Sequence, residues 1–181
     1  MIDRAPLPGD PSHKARVAMM VRVDHAGEYG AGRIYAGQLA VMGNGDKAEV
    51  LRHMADQERE HLAVFSREIA RRRVRPTLLL PLWHVAGFVL GAATARMGDR
   101  AAMACTVAVE EAIDEHYQAQ ITELGDSEPD LRDTIEIFRQ EELEHRDIGL
   151  EHGAEQAPGY KFLAAAIKLG CKVAIGLSQR L

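Results

Sequence analysis

The chain is predicted to be all-α: a four-helix bundle with a hydrophobic crossover helix and an amphipathic helix at the C-terminus. Three observations carry this reading. Turn signals built from Gly, Pro and Asn separate long tracts, within which apolar residues recur at helical spacings of three and four. Aromatic residues are only 5% of the chain, and Val and Ile never gather into alternating runs, so no strand is credible. Hydrophobic residues make up 46% of 181, enough for one buried core, so residues 1–181 are read as a single domain with 1–11 as a flexible N-terminus.

The elements follow in order. Ser12 is expected to cap a first helix that runs to Met42 and stops at Gly43-Asn44-Gly45. Asp46 is expected to cap a second, ending at Arg71-Arg72-Arg73, where cations suit a helix C-terminus. Pro76 and Pro81 bracket an apolar stretch that ends near Met97-Gly98. Asp99 is expected to cap the fourth helix, which stops at Gly125-Asp126. Ser127 and Asp130 resemble a capping box for a fifth reaching His152, and Pro158 suits the first turn of the last helix.

Composition excludes several functions. Lys+Arg 22 against Asp+Glu 27 leaves a net charge of −5, which argues against nucleic-acid binding. Cys105 and Cys171 form no Cys-x-x-Cys, so neither a disulfide framework nor a thiolate zinc site is available. No secretory or transit signal opens this sequence, so the protein is expected to start life in the cytoplasm. Any chemistry therefore rests on carboxylates and the eight histidines.

Listing the apolar seams exposes a repeat. They read Val21, His25, Glu28, Gly32, Tyr35, Leu39, Met42; then Leu51, Met54, Glu58, His61, Phe65; then Met103, Val107, Glu110, Asp114, Tyr117, Ile121, Leu124; then Leu131, Ile135, Phe138, Glu142, His145, Gly149. Each face should look inward, yet each carries a carboxylate at mid-length. Glu58 with His61, and Glu142 with His145, stand at i, i+3, which puts carboxylate and imidazole on one helix face. Glu60 and Glu144 point away and are poor co-ligands, and Glu111 falls outside the seam. Folding each helix pair about its turn places Glu28 opposite Glu58 and His61, and Glu110 opposite Glu142 and His145, all about 20–28 Å from the turns.

Two such hairpins face to face gather four carboxylates and two imidazoles. That is the ligand set of ferritin-like di-iron or di-manganese carboxylate bundles. Four unpaired buried carboxylates would repel, and two divalent cations neutralise them. Oxygen-rich ligation with two imidazoles suits iron or manganese. His116 and Tyr117, one to two turns beyond Glu110, are candidates to line the pocket or an electron path, and Asp114 is a weaker one. His25 reads as a core or supporting histidine, and His13, His53, His84 and His152 as structural or exposed.

Two segments point to lipid. Thr77–Ala95 has no formal charge and nearly reaches the ~20 residues that span a bilayer. Pro81, His84 and its small residues argue instead for a crossover between the hairpins. In the last helix Lys161, Lys168 and Lys172 form one stripe beside Phe162, Leu163, Ile167, Leu169, Val173 and Ile175, the pattern of a membrane-surface helix or of ordinary core packing.

Longer strings carry a resemblance. Val23-Asp24-His25-Ala26-Gly27-Glu28-Tyr29-Gly30-Ala31, Arg33-Ile34-Tyr35-Ala36-Gly37-Gln38, Arg75-Pro76-Thr77, Ala104-Cys105-Thr106-Val107-Ala108-Val109-Glu110-Glu111 and Glu141-Glu142-Leu143-Glu144-His145 resemble the demethoxyubiquinone hydroxylase family of ubiquinone biosynthesis. The likeness runs from about residue 18 to the end. It implies a peripheral membrane monooxygenase that uses two Fe2+ ions and O2, with NADH as electron donor, to hydroxylate the ring of a polyprenyl methoxy-methyl-benzoquinol. The family's ligands would be Glu28, Glu58, His61, Glu110, Glu142 and His145, with the bridging carboxylates undetermined.

The same resemblance implies contact with the cytoplasmic face of a bacterial inner membrane, or the matrix face if mitochondrial. It also implies a lipid-binding accessory protein that delivers substrate, and leaves homo-oligomerisation open. The short turn at Leu124-Gly125-Asp126-Ser127 favours a bacterial member. The rival reading on the same bundle is a ferroxidase or peroxide-scavenging metal-handling protein.

Overall fold

The computed structural model describes residues 9–181, so the flexible segment expected over 1–11 lies mostly outside the described residues. Among the described residues there are six α-helices and no strand: α1 (His13–Met42), α2 (Ala48–Arg72), α3 (Leu80–Arg96), α4 (Asp99–Leu124), α5 (Pro129–Glu151) and α6 (Tyr160–Arg180). A 3-10 turn over Ala154–Gln156, not anticipated from sequence, joins the last two. The hairpins α1–α2 and α4–α5 form the ferritin-like bundle, α3 crosses between them, and α6 closes the same flank against α4 and α1.

The helix ends show where local rules were overridden. Ser12 does cap α1, its side chain accepting from the Ala15 N–H at 3.2 Å. Asp46 does not cap α2; Lys47 occupies that position without a side-chain bond. The tight turn pairs the Ala48 N–H with the Gly45 carbonyl, one of the donors an Asp46 cap would have taken. Asp99 is the first residue of α4 instead of its cap, Gly98 taking that place at φ 113°. Ser127 forms no capping box, because its hydroxyl donates backwards to the Leu124 carbonyl at 2.5 Å and closes α4. Pro158 precedes Gly159, whose left-handed φ of 70° starts α6. The arginines ending α2 serve as expected: Arg72 bonds Glu68 and, at 2.8 Å, Glu128 at the start of α5.

Two apolar layers enclose the middle of the bundle. One gathers Val17, Val21, Phe65, Tyr117, Leu131, Ile135 and Phe138; the other gathers Tyr35, Met42, Leu51, Met54, Met103 and Val107. Between them lie the polar seam residues.

The α3–α6 flank is different. Helix α3, 17 residues long, links the two hairpins, so the Thr77–Ala95 stretch serves as the crossover. It lies very close on α1: a Cβ at Gly91 would overlap the Ile34 carbonyl, and one at Gly37 the Phe88 carbonyl. Helix α6, with 21 residues, is the one among those described that is long and apolar enough to cross a membrane by length and composition. Two of its three stripe lysines reach across to α4, while Lys161 is exposed. Lys168 pairs with Glu111, and Lys172 with Glu115 at 3.0 Å, both on α4. The outward face carries Phe162, Leu169 and Val173, while Ala164, Ile167 and Ser178 turn inward.

Candidate metal centre

Each of the four bundle helices contributes at mid-length, and the six seam residues Glu28, Glu58, His61, Glu110, Glu142 and His145 meet there. None is more than 1% exposed. They fall into two overlapping quartets, Glu28–Glu58–His61–Glu142 and Glu58–Glu110–Glu142–His145, with ligand-type atoms within 4.8 Å of one another in each. Glu58 and Glu142 belong to both. The i, i+3 spacing of each Glu-x-x-His does what it must: His145 Nδ1 lies 3.2 Å from Glu142 Oε2 on its own helix and 3.3 Å from Glu58 Oε1 across the bundle. His61 Nδ1 lies 3.2 Å from Glu142 Oε1 and 3.4 Å from Glu28 Oε2.

Such a cluster is unfavourable as bare protein. Both oxygens of Glu58, Oε2 of Glu28 and Oε2 of Glu110 are buried without a hydrogen-bond partner. Burial, then the charges of its neighbours Glu142, Glu28 and Glu110, push Glu58 well above the usual carboxylate range. Glu110 is driven the same way by burial and Glu142, and Glu28 is raised chiefly by burial. Burial also opposes charge on Glu142, yet hydrogen bonds from His145 and His61 outweigh it and hold Glu142 at about 2. Against its own burial, His61 is raised to about 11 by its contacts with Glu142 and Glu28 and their negative charges. Protons thus occupy positions that two divalent cations fit: four carboxylates and two imidazoles balance two double charges, and the orphaned oxygens face the shared space. Oxygen-rich ligation of this kind suits iron or manganese.

The outlying carboxylates are held by tyrosines. Tyr117, on α4 seven residues after Glu110, donates its hydroxyl to Glu28 Oε1 on α1. Tyr35, on α1 seven residues after Glu28, donates to Glu110 Oε1 on α4 at 2.8 Å. Tyr35 was read only as a seam residue; the equal offset in the two helices was the available signal. Sequence reasoning also passed over Gln57 and Glu141, which stand behind His145 and His61. It did not single out Asp24 and Gln120 either. Asp24 is fully buried, accepts from Gln120 Nε2 at 2.7 Å, and lies 3.3 Å from Nε2 of His116. His116 therefore sits beside Tyr117 but outside the six-residue cluster, its side chain 17% exposed.

The remaining candidates lie elsewhere. Asp114 is taken by Arg139 at 2.7 Å, and Glu111 by Lys168. His25 is half-buried with Nδ1 unpartnered, and burial lowers its pKa. His13, His84 and His152 bond Ser127, Tyr29 and the Ile148 carbonyl respectively, and His53 is exposed.

An apolar groove of about 560 Å³ opens beside the cluster. Its floor includes Ala26, Gly27 and Gly30 of α1 and Val109 of α4, the chain neighbours of Glu28 and Glu110; its walls are α3 and α6. It ranks as a ligand-sized cleft lined almost wholly by carbon.

Comparison with known proteins bears on this arrangement. The family model described as "Ubiquinone biosynthesis protein COQ7" matches residues 15–178. A Rhodospirillum rubrum protein named 3-demethoxyubiquinol 3-hydroxylase is 60% identical over 175 residues, covering 96% of this chain and 82% of its own. A Homo sapiens protein named NADPH-dependent 3-demethoxyubiquinone 3-hydroxylase, mitochondrial, is 54% identical over 176 residues, covering 95% and 81%. The Saccharomyces cerevisiae 5-demethoxyubiquinone hydroxylase, mitochondrial, is 41% identical over 179 residues, covering 90% and 77%. With a match that spans all six helices and both halves of the buried cluster, the chain belongs to the COQ7 family of ubiquinone biosynthesis proteins.

Proposed function

We propose that this chain is an O2-dependent di-iron monooxygenase that hydroxylates the ring of a polyprenyl methoxy-methyl-benzoquinol in ubiquinone biosynthesis. The observation that carries the reading is a buried centre of four carboxylates and two imidazoles on the same helices that floor a carbon-lined groove. The names of the relatives support the substrate class. A ferroxidase or peroxide scavenger on the same bundle has no use for such a groove.

Glu28, Glu58, His61, Glu110, Glu142 and His145 are the residues that would hold two iron ions, Glu58 and Glu142 belonging to both quartets. When bound, the iron pair supplies O2 activation, so that one oxygen atom enters the ring and the other leaves as water. The protein does the rest. Tyr117 and Tyr35 hold Glu28 and Glu110 in place, and burial of all six residues excludes bulk water. The groove takes the prenyl tail, with the ring at the end floored by Ala26, Gly27 and Val109. His116 and Tyr117 are the proposed electron path, leading from a partly exposed imidazole to the hydroxyl on Glu28.

The electrons come from a reduced nicotinamide. The sequence resemblance implied NADH, whereas the human relative is named NADPH-dependent; assay with each donor decides. Membrane contact is proposed through the outward apolar residues of α3 and α6, as a peripheral protein on the cytoplasmic face of a bacterial inner membrane, or the matrix face if mitochondrial. An accessory lipid-binding protein as substrate donor belongs to the same proposal.

The test is direct. Protein loaded with two ferrous ions, given a short-tailed demethoxyquinol, O2 and a reduced nicotinamide, should release the hydroxylated ring. Failure to bind two irons, or Fe(II) oxidation that continues with no ring product, would sink the hydroxylase reading.

A further inference from the structure

The two imidazoles at the centre are oriented alike but backed by different chemistry. In both rings Nδ1 faces the carboxylates and Nε2 faces outward. His61 Nε2 lies 2.5 Å from Glu141 Oε2, whereas His145 Nε2 lies 3.0 Å from Gln57 Oε1. An outer nitrogen that donates its proton leaves the inner nitrogen with a free lone pair, as a metal ligand requires.

Residues 57 and 141 hold the same place in the repeat, directly before the glutamate of Gln57-Glu58-Arg59-Glu60-His61 and of Glu141-Glu142-Leu143-Glu144-His145. Each backs the histidine of the other helix, so the two halves are matched in geometry. The outlying carboxylates are matched too, since each accepts one tyrosine hydroxyl. What differs is a full negative charge against a neutral amide. Charge-assisted hydrogen bonds are shorter and roughly twice as strong as neutral ones. A carboxylate draws the Nε2 proton toward itself and enriches the opposite nitrogen, which makes His61 the stronger donor to a cation.

We propose that Glu141 and Gln57 make the two cation positions unequal, so that the Glu28–Glu58–His61–Glu142 position fills first and the Glu58–Glu110–Glu142–His145 position second. This rests on the reading of the cluster as a two-cation centre. Glu141 is 34% exposed, so solvent screens part of its charge and the effect belongs at the lower end of the range for such supporting residues, about tenfold in affinity. Glu141 and Gln57 are positioning residues: neither enters a quartet itself.

The experiment is a Co2+ titration of the full-length, metal-free chain, followed by visible absorption and by calorimetry, with circular dichroism confirming the fold of each variant. The unaltered chain should bind two ions in steps about tenfold apart. Glu141→Gln should weaken the first step alone and merge the two. Gln57→Glu should strengthen the second step alone and merge them from the other side. Because that second variant adds a charge, it decides the matter even if Glu141→Gln fails to fold. Equal steps in the unaltered chain would overturn the inequality and leave the two-cation reading standing, as would variants that shift both steps together. Fewer than two ions bound by the unaltered chain would overturn the two-cation reading itself.

Discussion

At the centre of the bundle six ionisable side chains are at most 1% exposed, whereas on the α3–α6 flank Phe162 is 82% and Leu169 64% exposed. Soluble proteins normally arrange these the other way round, with charge outside and large apolar residues inside. Each inversion is unfavourable for the chain in isolation, and each is relieved by a partner of opposite character. On the proposed function, cations would neutralise the centre and an apolar phase would cover the flank. The groove lies between the two, with walls from α3 and α6 and a floor on the helix pair bearing Glu28 and Glu110. A tailed quinol fits this arrangement because it needs lipid for its tail and the buried centre for its ring.

The sharpest way to break the comparison is at the shared carboxylates. Glu142→Ala should leave fewer than two irons bound and reduce kcat/KM by on the order of 10³-fold or more, read by metal analysis and steady-state assay. Glu58→Gln should do the same in the loaded enzyme yet raise the Tm of the metal-free chain, because it removes a buried acid that has no hydrogen bond. A metal-free Tm that falls with Glu58→Gln would show that the centre is held together by its own hydrogen bonds.

The flank answers to the opposite substitution. Changing Val85, Phe162 and Leu169 to Ser removes three exposed apolar side chains, each worth ~1.5–3 kcal/mol when buried. Partitioning onto phospholipid vesicles should fall about 10²-fold or more, measured by co-sedimentation. Unchanged vesicle binding would assign the flank to another partner.

A smaller effect is expected in the groove itself. A Cβ at Gly170 meets nothing within 4 Å, and the residue lines the groove. Gly170→Phe should therefore raise KM for a long-tailed quinol by roughly tenfold while a tail-less ring is affected less. Equal effects on both substrates would place the tail elsewhere.

The smallest is a dependence on pH in the metal-free chain. Burial raises Glu28, Glu58 and Glu110, so the folded state holds protons that the unfolded chain releases above its ordinary carboxylate pKa. Stability therefore declines as pH rises beyond that value. His61, at about 11, acts in the same sense: its contribution is complete below its ordinary value of 6.5 and is lost as pH rises through about 11. Glu142, held at about 2, contributes stability above 4.5 that is lost only as pH falls toward 2. The metal-free Tm should fall by several degrees from about pH 5 to about pH 8, while the cation-loaded Tm should not. A flat metal-free curve would mean that the buried acids titrate as they do in water.

Much of this was legible beforehand because helical periodicity is local. All six buried seam residues at the centre and the depth of each from its turn follow from spacing along one chain. The failures share a cause. Asp46, Asp99, Ser127 and Pro158 are placed by residue preference, as is the Ser12 cap that does form. In the four that fail, the turn puts a neighbouring residue at the helix start instead: Lys47, Gly98, Glu128 and Gly159. The lysine stripe of α6 was seen, but its direction was not, because Glu111 and Glu115 sit on another helix.

By itself the sequence determined an all-α chain, two hairpins, and four carboxylates with two imidazoles at one depth, since these depend on intervals of three, four and seven residues. Packing of one hairpin on the other decided the rest. It made Glu58 and Glu142 common to both quartets, crossed Tyr35 and Tyr117 onto each other's carboxylates, and set Glu141 and Gln57 behind opposite histidines. Each of these contacts joins residues more than 70 positions apart or on different hairpins. No periodicity within a single helix encodes such a pairing; it arises only when four seams are brought to one axis.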